Sequence, residues 1–458
     1  MDAIVTPAEM GAIDAAAPEP VEVLIGRAGG AVARAALDLL GGSYGRRVVV
    51  VAGKGNNGND GREAARRLTS RGVRCHVIDA ADAPDVLPAA DLVIDAAYGT
   101  GFTGTYRSPR PADPATPVLA VDIPSGVDGL TGVAAGHPLA ADVTVTFAAW
   151  KPGLLLADGA ALAGAVRVAD IGLDVSSATA HVVDDAAVRS WLPARPVDAH
   201  KWRSAVRLVA GSLGMTGAAH LAAAAALRAG AGYVRLSSPG ADTDPGAPTE
   251  CVITPMPSDG WAAALLEEGL DRFSSLAVGP GLGRDSGAVQ QIRRVLTGAS
   301  LPTVVDGDGL SALGASVAEV LAGRHPDAGP VVLTPHDGEF ATLTGSPPPP
   351  DRFAAVRSLA ADVGAVVLLK GPTTLVADPT GTVLAVTSGD ARLATAGTGD
   401  VLTGVVAAFL AAGLSAPRAA AAAAHLHGRA GALAWPRGLV ASDLVALLPV
   451  VLSELQEA

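Results

Sequence analysis

A glycine-rich turn near the end of the chain carries an acidic residue. Residues 394–404 read ATAGTGDVLTG, so Gly397 and Gly399 flank Thr398, and Asp400 follows directly. The glycines allow backbone conformations that bring N–H groups toward an anion, and a helix from Asp400 would add its positive end. A carboxylate there is well placed to deprotonate a hydroxyl that attacks a phosphoryl group. The alternative is that Thr398 and Asp400 merely cap a buried helix.

A second glycine-rich turn, GKGNNGNDG at 53–61, follows an apolar stretch at 47–52. Its spacing matches G-x-G-x-x-G, the pattern of a dinucleotide-binding turn, and Asp79 stands where an acid that binds ribose is expected. Asn and Asp side chains, however, occupy positions that are small or apolar in such turns. We interpret these side chains as ligand contacts. The alternative is a turn that is stabilised by its own Asn and Asp side chains.

Two further acidic residues stand at the ends of apolar stretches. Asp95 is followed by GTGFTGT at 99–105, and Asp122 is followed by IPSGVDG. Ligands bind beyond the carboxyl ends of parallel strands, so these loops are expected to face one crevice. Oxygen atoms of Asn57, Asp95 and Ser125 could hold a hard monovalent or divalent cation there. A zinc site is excluded for want of paired His or Cys residues.

Alternating apolar and helical patterns predict the elements that must position these residues. The sequence TPAE at 6–9 has the form of a capping box and predicts a helix near the start. A second helix is expected at 62–71. Strands are expected at 47–52, 73–79, 92–96, 117–122 and 143–147. This alternation is typical of a parallel α/β sheet.

The α/β pattern restarts after a mixed, Pro- and Asp-rich stretch at 176–200, which indicates a domain boundary. Strands are expected at 206–210, 233–237, 276–278, 303–306, 331–334 and 366–370, with a long helix at 218–228. Polar turns that contain His336 and Lys370 follow two of these strands. The alternatives are a hydrogen-bonded structural histidine and a solvated lysine. Two domains of similar class are the simplest account.

Composition limits the classes of function. The 458 residues are 49% hydrophobic and 17% charged, which excludes a largely disordered chain. A net charge of −12 without a Lys/Arg cluster argues against nucleic acid. Two cysteines cannot form a disulfide framework, and the start lacks a basic targeting segment. The alanine- and glycine-rich stretches 218–234 and 401–416 are interpreted as buried helices, not membrane spans, and a cytoplasmic protein is expected.

The motifs GKGNNGNDG, DAAYGTGFTGT and VDIPSGVDG resemble the N-terminal domain of the bifunctional NAD(P)H-hydrate repair enzymes. That domain is Rossmann-like and epimerises hydrated NADH and NADPH; the resemblance covers residues 1–175. It implies substrate contacts at Asn56, Asn57, Gly58, Asn59, Asp60, Gly99, Thr100, Gly101, Phe102, Thr103, Gly104, Thr105 and Asp122. It also implies K⁺ held by Asn57, Asp95 and Ser125. Asn59 replaces the usual second glycine. Asp122 is the candidate acid/base, and a loop-capping acid is the alternative.

The second half lacks a P-loop, but GPGLG, TPHDGE, KGPTT and GTGD resemble the ribokinase-like fold, specifically ADP- or ATP-dependent NAD(P)H-hydrate dehydratases. The resemblance covers residues 182–458, with 176–181 as the boundary segment. It implies nucleotide contacts at Lys370, Gly371, Pro372, Thr373, Thr374 and Gly399, with Mg²⁺ accompanying the nucleotide. Contacts to the hydrated cofactor are implied at Ala218, Gly281, His336 and Asp400.

The resemblance implies a two-step repair reaction. The first domain would interconvert the R and S hydrates, and the second would dehydrate the S hydrate at the expense of ADP or ATP. Asp400 would deprotonate the C6 hydroxyl for attack on the terminal phosphoryl group, so that phosphate then leaves. The main alternative is a sugar or vitamin kinase fused to a Rossmann oxidoreductase. A third possibility is a non-catalytic N-terminal module. A homo-oligomer without nucleic acid or membrane partners is expected.

Overall fold

The computed structural model describes residues 1–241 and 243–457. They divide into two compact units, Asp2–His181 and a second unit that begins at Val182. Both units are α/β, as the sequence predicts. In the described part of the chain no helix is long and apolar enough to cross a membrane.

The first unit is built on a six-stranded parallel sheet in the order β3-β2-β4-β6-β8-β9. Its strands are β1 (Asp2–Ile4), β2 (Arg47–Ala52), β3 (Arg74–Asp79), β4 (Leu92–Ala96), β5 (Tyr106–Arg107), β6 (Val118–Val121), β7 (Gly136–His137), β8 (Val143–Phe147) and β9 (Ala165–Ala169). Its helices are α1 (Pro7–Ala15), α2 (Val21–Leu40), α3 (Asn56–Thr69) and α4 (Ala157–Leu162). A short strand, β10 (Ala180–Val182), lies at the division between the units.

Most predicted elements of this unit are confirmed. The strands at 47–52, 92–96 and 143–147 have the predicted bounds, and α1 begins with the predicted Thr6–Glu9 capping box. The helix predicted at 62–71 is wrong at its start, because α3 begins at Asn56. The Asn-rich segment is therefore the first turn of a helix. Gly55 precedes it in an extended conformation, so the helix can begin six residues earlier than the apolar pattern indicates.

The second unit contains a sheet in the order β19-β18-β17-β16-β15-β14-β11-β12-β13, parallel except at β18 and β19. Its strands are β11 (Ala205–Val209), β12 (Tyr233–Ser237), β13 (Val252–Ile253), β14 (Ser275–Val278), β15 (Thr303–Val305), β16 (Val331–Leu333), β17 (Val366–Leu369), β18 (Thr374–Ala377) and β19 (Val383–Val386). Its helices are α5 (Asp185–Trp191), α6 (Gly217–Arg228), α7 (Trp261–Glu268), α8 (Ser286–Gly298), α9 (Asp308–Leu313), α10 (Val317–Ala322), α11 (Asp337–Thr344), α12 (Arg352–Val363), α13 (Thr398–Ala411), α14 (Ala416–Leu433) and α15 (Ala441–Glu457).

Small residues let the helices of the second unit pack closely. The buried core includes a run of alanines on α14, from Ala419 to Ala424, and five alanines of α6. A Cβ atom at Gly404 would lie 2.1 Å from the Ala222 carbonyl oxygen, so α13 approaches α6 as closely as glycine allows. This contact fixes the start of α13, where Asp400 lies, against the body of the unit.

Candidate functional sites

A cavity of about 1190 Å³ lies in the first unit, at the carboxyl ends of β2, β4 and β6. It brings together most of the predicted substrate contacts: Asn56, Asn57, Asp60, Gly99, Thr100, Gly101, Phe102, Thr103 and Asp122. The strand register explains this, since Ala52 pairs with both Asp79 and Ala96 and the strands end level with one another. Four predicted contacts do not line the cavity: Gly58, Asn59, Gly104 and Thr105.

The Asn-rich segment reaches the cavity because α3 begins there. The first amides of a helix have no intrahelical acceptor, and Gly55 supplies no side-chain cap, so these N–H groups are available to an anion. Gly58 allows the first turn of α3 to pack closely against the backbone of Gly53. A Cβ atom there would lie 1.9 Å from the Gly53 carbonyl oxygen. Asn59, which replaces the usual glycine, is not among the residues that line the cavity.

Asn57, Asp95 and Ser125, the predicted cation ligands, differ in their hydrogen bonding. Ser125 donates from Oγ to Asp95 Oδ1 at 2.6 Å and from its backbone N–H to Asp95 Oδ2 at 2.9 Å. The Asn57 side-chain amide is buried, and neither its oxygen nor its nitrogen has a hydrogen-bond partner among the described residues. A buried amide oxygen without a donor is an open ligand position for a hard cation.

Asp122 lies directly after β6 with a backbone φ of 68°, an unusual value for a residue other than glycine. Its Oδ1 faces the Lys151 ammonium at 2.8 Å and accepts from Thr146 Oγ1 at 3.1 Å. Its Oδ2 accepts from the Thr100 N–H at 3.1 Å. Burial alone would raise the pKa of Asp122, but the Lys151 charge and these hydrogen bonds outweigh it and lower the pKa.

Asp60 on α3 has a contrasting environment in the same cavity. The residue is only 7% exposed. Burial, followed by the negative charges of Asp122 and Asp14, raises the pKa of Asp60 to about 8. Asp122 is thus a carboxylate at neutral pH while Asp60 is a carboxylic acid.

Sequence reasoning missed Lys151 and Asp14 as members of this site. Lys151 is 1% exposed and donates to Thr146 Oγ1 at 2.8 Å and to the Phe147 carbonyl at 2.9 Å. Its position four residues after β8, at the same edge as the other strand ends, was the available signal. Asp14 lies on α1, whose apolar pattern gives no indication that it borders a cavity.

Asp79 lies at the end of β3 and lines the same cavity, where a ribose-binding acid is expected. Its carboxylate forms an ion pair with Arg62 of α3, and Arg62 also donates to the Gly53 carbonyl. The pair links the end of β3 to the glycine-rich turn. Asp79 therefore already has an ion-pair partner within the protein.

In the second unit, Gly397 is the N-cap of α13 with a left-handed φ of 88°. Gly399 lies in the first turn of α13 with an ordinary helical backbone, so the expectation of a special conformation is correct for Gly397 and wrong for Gly399. Asp400 also lies in this first turn, two residues after the helix begins. Burial raises the pKa of Asp400 to about 6, and the negative charge of Asp306 adds to this effect. The positive charge of Lys370 opposes it.

Lys370, at the end of β17, meets two carboxylates. Its ammonium lies 2.9 Å from Asp306 Oδ1 and 3.4 Å from Glu339 Oε2. Burial opposes its charge, but these partners outweigh burial and raise the pKa of Lys370. A Cβ atom built on Gly399 would be 3.6 Å from the Lys370 nitrogen and 3.5 Å from Asp306 Oδ2. The predicted nucleotide contacts Lys370 and Gly399 are therefore adjacent.

The other KGPTT residues form the turn between β17 and β18. Thr374 begins β18, and Arg352 Nη2 donates to the Lys370 carbonyl at 3.2 Å beside Gly371. Arg352 also forms a two-point ion pair with Asp337, at 3.0 and 2.7 Å. The TPHDGE and KGPTT motifs are thus joined through Arg352, which sequence reasoning missed.

His336 caps α11 at the same edge. Its Nδ1 accepts from the N–H groups of Gly338 and Glu339, at 3.0 and 3.2 Å, while 60% of its side chain is exposed. His336 therefore has the hydrogen bonds of a helix-capping residue, and its exposed ring is also accessible to a ligand. Glu339 links His336 to Lys370.

Ala218 and Gly281 are brought together from different motifs. A Cβ atom at Gly281, whose φ is 66°, would lie 3.4 Å from Ala218 Cβ. The GPGLG loop is held by Asp308, which accepts from the Gly283 N–H at 2.9 Å and from Arg284 Nε at 2.6 Å. Asp308 follows β15, as Asp306 does, so one turn supports both this loop and Lys370.

Family models match both units of the chain. Residues 206–449 match the model described as NAD(P)H-hydrate dehydratase. Residues 21–86 and 78–153 match the model described as the YjeF-related protein N-terminus. The two matched regions lie in different structural units.

Curated relatives match along nearly the whole chain. The bifunctional NAD(P)H-hydrate repair enzyme of Moorella thermoacetica is 38% identical, over 99% of this chain and 97% of its own. The enzyme of the same name from Salinibacter ruber is 39% identical, over 89% of this chain and 87% of its own.

A solved structure of the Bacillus subtilis ADP/ATP-dependent NAD(P)H-hydrate dehydratase, co-crystallised with ATP and Mg²⁺, is 29% identical. It has a TM-score of 0.50 and covers 59% of this chain and 97% of its own. A ribokinase-like protein from Enterococcus faecalis, at 23% identity and a TM-score of 0.53, shares the fold. With two matching domain models and full-length relatives, this chain belongs to the family of bifunctional NAD(P)H-hydrate repair enzymes.

Proposed function

We propose that the two units carry the two activities of the family in separate sites. The first unit interconverts the R and S hydrates of NADH and NADPH, and the second dehydrates the S hydrate with ADP or ATP. The observation that carries this proposal is the pair of glycine-rich helix starts, α3 and α13, each with a largely buried acidic residue whose pKa is raised.

In the second unit, Asp400 is the base for dehydration. Its pKa of about 6 leaves it ionised at neutral pH but still a competent proton acceptor. It removes the proton of the C6 hydroxyl, whose oxygen then attacks the terminal phosphorus of the nucleotide. The lone pair of the ring nitrogen expels phosphate from C6, and loss of a C5 proton restores the C5–C6 double bond.

The nucleotide lies against Lys370 to Thr374 and Gly399 in this proposal. The Lys370 charge stabilises the transferring phosphoryl group, together with the first amides of α13. Ala218, Gly281 and His336 contact the hydrated cofactor. Mg²⁺ would enter with the nucleotide. Among residues 1–241 and 243–457, no group of three His, Cys, Asp or Glu side chains is arranged to hold a metal.

In the first unit, the cavity holds the hydrated nucleotide. The amides at the start of α3 bind its phosphates, and Asp122, a carboxylate held by Lys151, exchanges a proton with the C6 hydroxyl. K⁺ would be held by Asn57, Asp95 and Ser125, because the buried Asn57 amide oxygen has no donor within the described residues. When bound, the ion supplies a fixed positive charge near the substrate phosphates.

A reconstitution experiment tests the proposal. The full-length protein is mixed with a defined mixture of R and S hydrates of NADH, with ADP, ATP or neither, and the dihydronicotinamide absorbance is followed. Nucleotide-dependent recovery beyond the initial S fraction, with one phosphate released per NADH, is expected. A stable phosphorylated product would instead indicate a small-molecule kinase. Recovery limited to the S fraction on a short time course would contradict epimerisation by the first unit.

A further inference from the structure

The Asp60 carboxyl group is buried at the cavity without a hydrogen-bond or ion-pair partner in the part of the chain that the structure describes. The residue is 7% exposed and lines the cavity from α3. Buried polar groups in proteins are nearly always paired, and an unpaired carboxyl group is costly to bury. An exception that faces a ligand cavity indicates a group reserved for the ligand.

Asp122, in the same cavity, has the partners that Asp60 lacks. Its two oxygens are engaged by Lys151, Thr146 and Thr100. The fold thus supplies one carboxyl group that is fixed as an anion and one that is left without a cation. Two carboxyl groups whose environments differ in this way are typical of an acid/base pair.

We propose that Asp60 is a second catalytic residue of the epimerase site, an acid that exchanges its proton with the ring nitrogen of the substrate while Asp122 exchanges a proton with the C6 hydroxyl. This inference rests on the proposed assignment of epimerisation to the cavity. Two carboxyl groups in opposite protonation states can serve both atoms in one step, because the hydroxyl loses a proton to the carboxylate as the nitrogen gains one from the acid.

The step conserves all atoms and electrons. Asp122 takes the hydroxyl proton, and the oxygen electron pair forms the C6 carbonyl. The C6–N1 bond breaks with its electrons on N1, which takes the proton from Asp60, giving an open-chain aldehyde. Rotation about C5–C6 presents the other face of the carbonyl. N1 then attacks C6, returns its proton to Asp60, and the oxygen regains a proton from Asp122. The product is the other epimer, with no net redox change.

The charges around Asp60 suit this role. It faces Asp122 after β6 and Asp14 on α1, while Lys54 and Lys151 line the same cavity. Burial and the two carboxylates raise its pKa to about 8. Asp60 therefore holds its proton at neutral pH and loses it in mildly alkaline solution.

The test compares Asp60→Asn with the wild-type enzyme and with Glu63→Gln, in the full-length chain with K⁺ present. Glu63 lies on the same helix, pairs with Arg66 and Arg67, and does not line the cavity. Interconversion of purified epimers is followed by chromatography on short time courses, with the uncatalysed rate subtracted. We expect Asp60→Asn to lose roughly 100-fold or more in rate, as removal of a general acid does, and Glu63→Gln to retain the wild-type rate.

The pH profile separates catalysis from a structural role. The wild-type rate should decline above about pH 8, and the residual rate of Asp60→Asn should lack that decline. Folding is checked by the melting temperature. At pH 9 the melting temperature of Asp60→Asn should be no lower than that of the wild type, because the variant no longer carries a buried group that resists ionisation. A folded Asp60→Asn variant with the wild-type rate, or with the alkaline decline intact, overturns the inference. If Asp122→Asn also keeps the wild-type rate, the assignment of epimerisation to this cavity fails instead.

Discussion

Asp306 Oδ1 accepts a hydrogen bond from Lys370 Nζ at 2.9 Å. Its Oδ2 accepts from Thr403 Oγ1, also at 2.9 Å, and Thr403 lies on α13 one turn beyond Gly399. Thr334 donates to Oδ1 as well, at 2.8 Å. One buried carboxylate at the end of β15 therefore fixes both the proposed nucleotide lysine and the helix that carries the proposed base.

Asp306→Asn should lower the pKa of Asp400, because the Asp306 charge is the largest influence after burial that raises it. The acidic limb of the dehydratase pH profile should move below pH 6, and the nucleotide KM should rise as Lys370 loses a partner. Thr403→Val is the matched variant, since it removes a hydrogen bond but keeps the charge. An unchanged acidic limb in Asp306→Asn would contradict the electrostatic link.

Asp400→Asn should lower the rate of nucleotide-dependent dehydration roughly 100-fold or more, since a general base is lost. Epimerisation should continue, because Asp122 and Asp60 lie in the other unit. In the wild type, dehydration should fall as pH drops through about 6, where Asp400 takes up a proton. Loss of both activities in a folded Asp400→Asn variant would count against separate sites. Both rates are measured on the same sample, by epimer chromatography and by NADH absorbance.

The fold and most site positions could be predicted from sequence because polar turns follow apolar strands in both halves. Asp95, Asp122, His336 and Lys370 were each found at the end of a strand by this signal. The start of α3 could not be found in this way. Asn and Gly residues disfavour helix interiors, so local propensity predicts a turn, while packing of Gly58 against Gly53 imposes the helix.

The roles of the supporting groups could not be predicted for a different reason. Lys151 and Asp306 follow strands, but no local pattern shows which distant side chain each of them meets. Asp14 reaches the cavity from α1. Asp306 directly follows β15, yet only its hydrogen bond with Lys370, which is 64 residues later in the chain, gives it a role. The contrast between Asp60 and Asp122 likewise depends on which of the two faces a buried lysine.

K⁺ should raise the melting temperature of the wild-type chain relative to Li⁺ at equal ionic strength, because binding to the folded state alone stabilises it. Asn57→Leu should abolish this difference, since it removes the buried amide oxygen that has no donor. Asn56→Ala is the control, because Asn56 is adjacent and exposed and carries no assigned ligand role toward the ion. Melting is followed by circular dichroism in each salt. A K⁺ effect that persists in Asn57→Leu would contradict the proposed ligand set.

Lys151→Met should destabilise the chain more than the double variant Lys151→Met/Asp122→Asn. Lys151 is 1% exposed, and removing it leaves the Asp122 carboxylate buried without its cation, at a cost of about 3 to 5 kcal/mol in such cases. Replacing Asp122 as well removes the uncompensated charge.

The loss of stability in Lys151→Met should also depend on pH. The pKa of Asp122 should rise in this variant, because burial then acts without the opposing ammonium. The loss of stability should therefore be larger at pH 8 than at pH 5. Thermal unfolding of the wild type, Lys151→Met, Asp122→Asn and the double variant at both pH values gives the coupling. Equal destabilisation of the single and double variants would show that Lys151 contributes by packing alone.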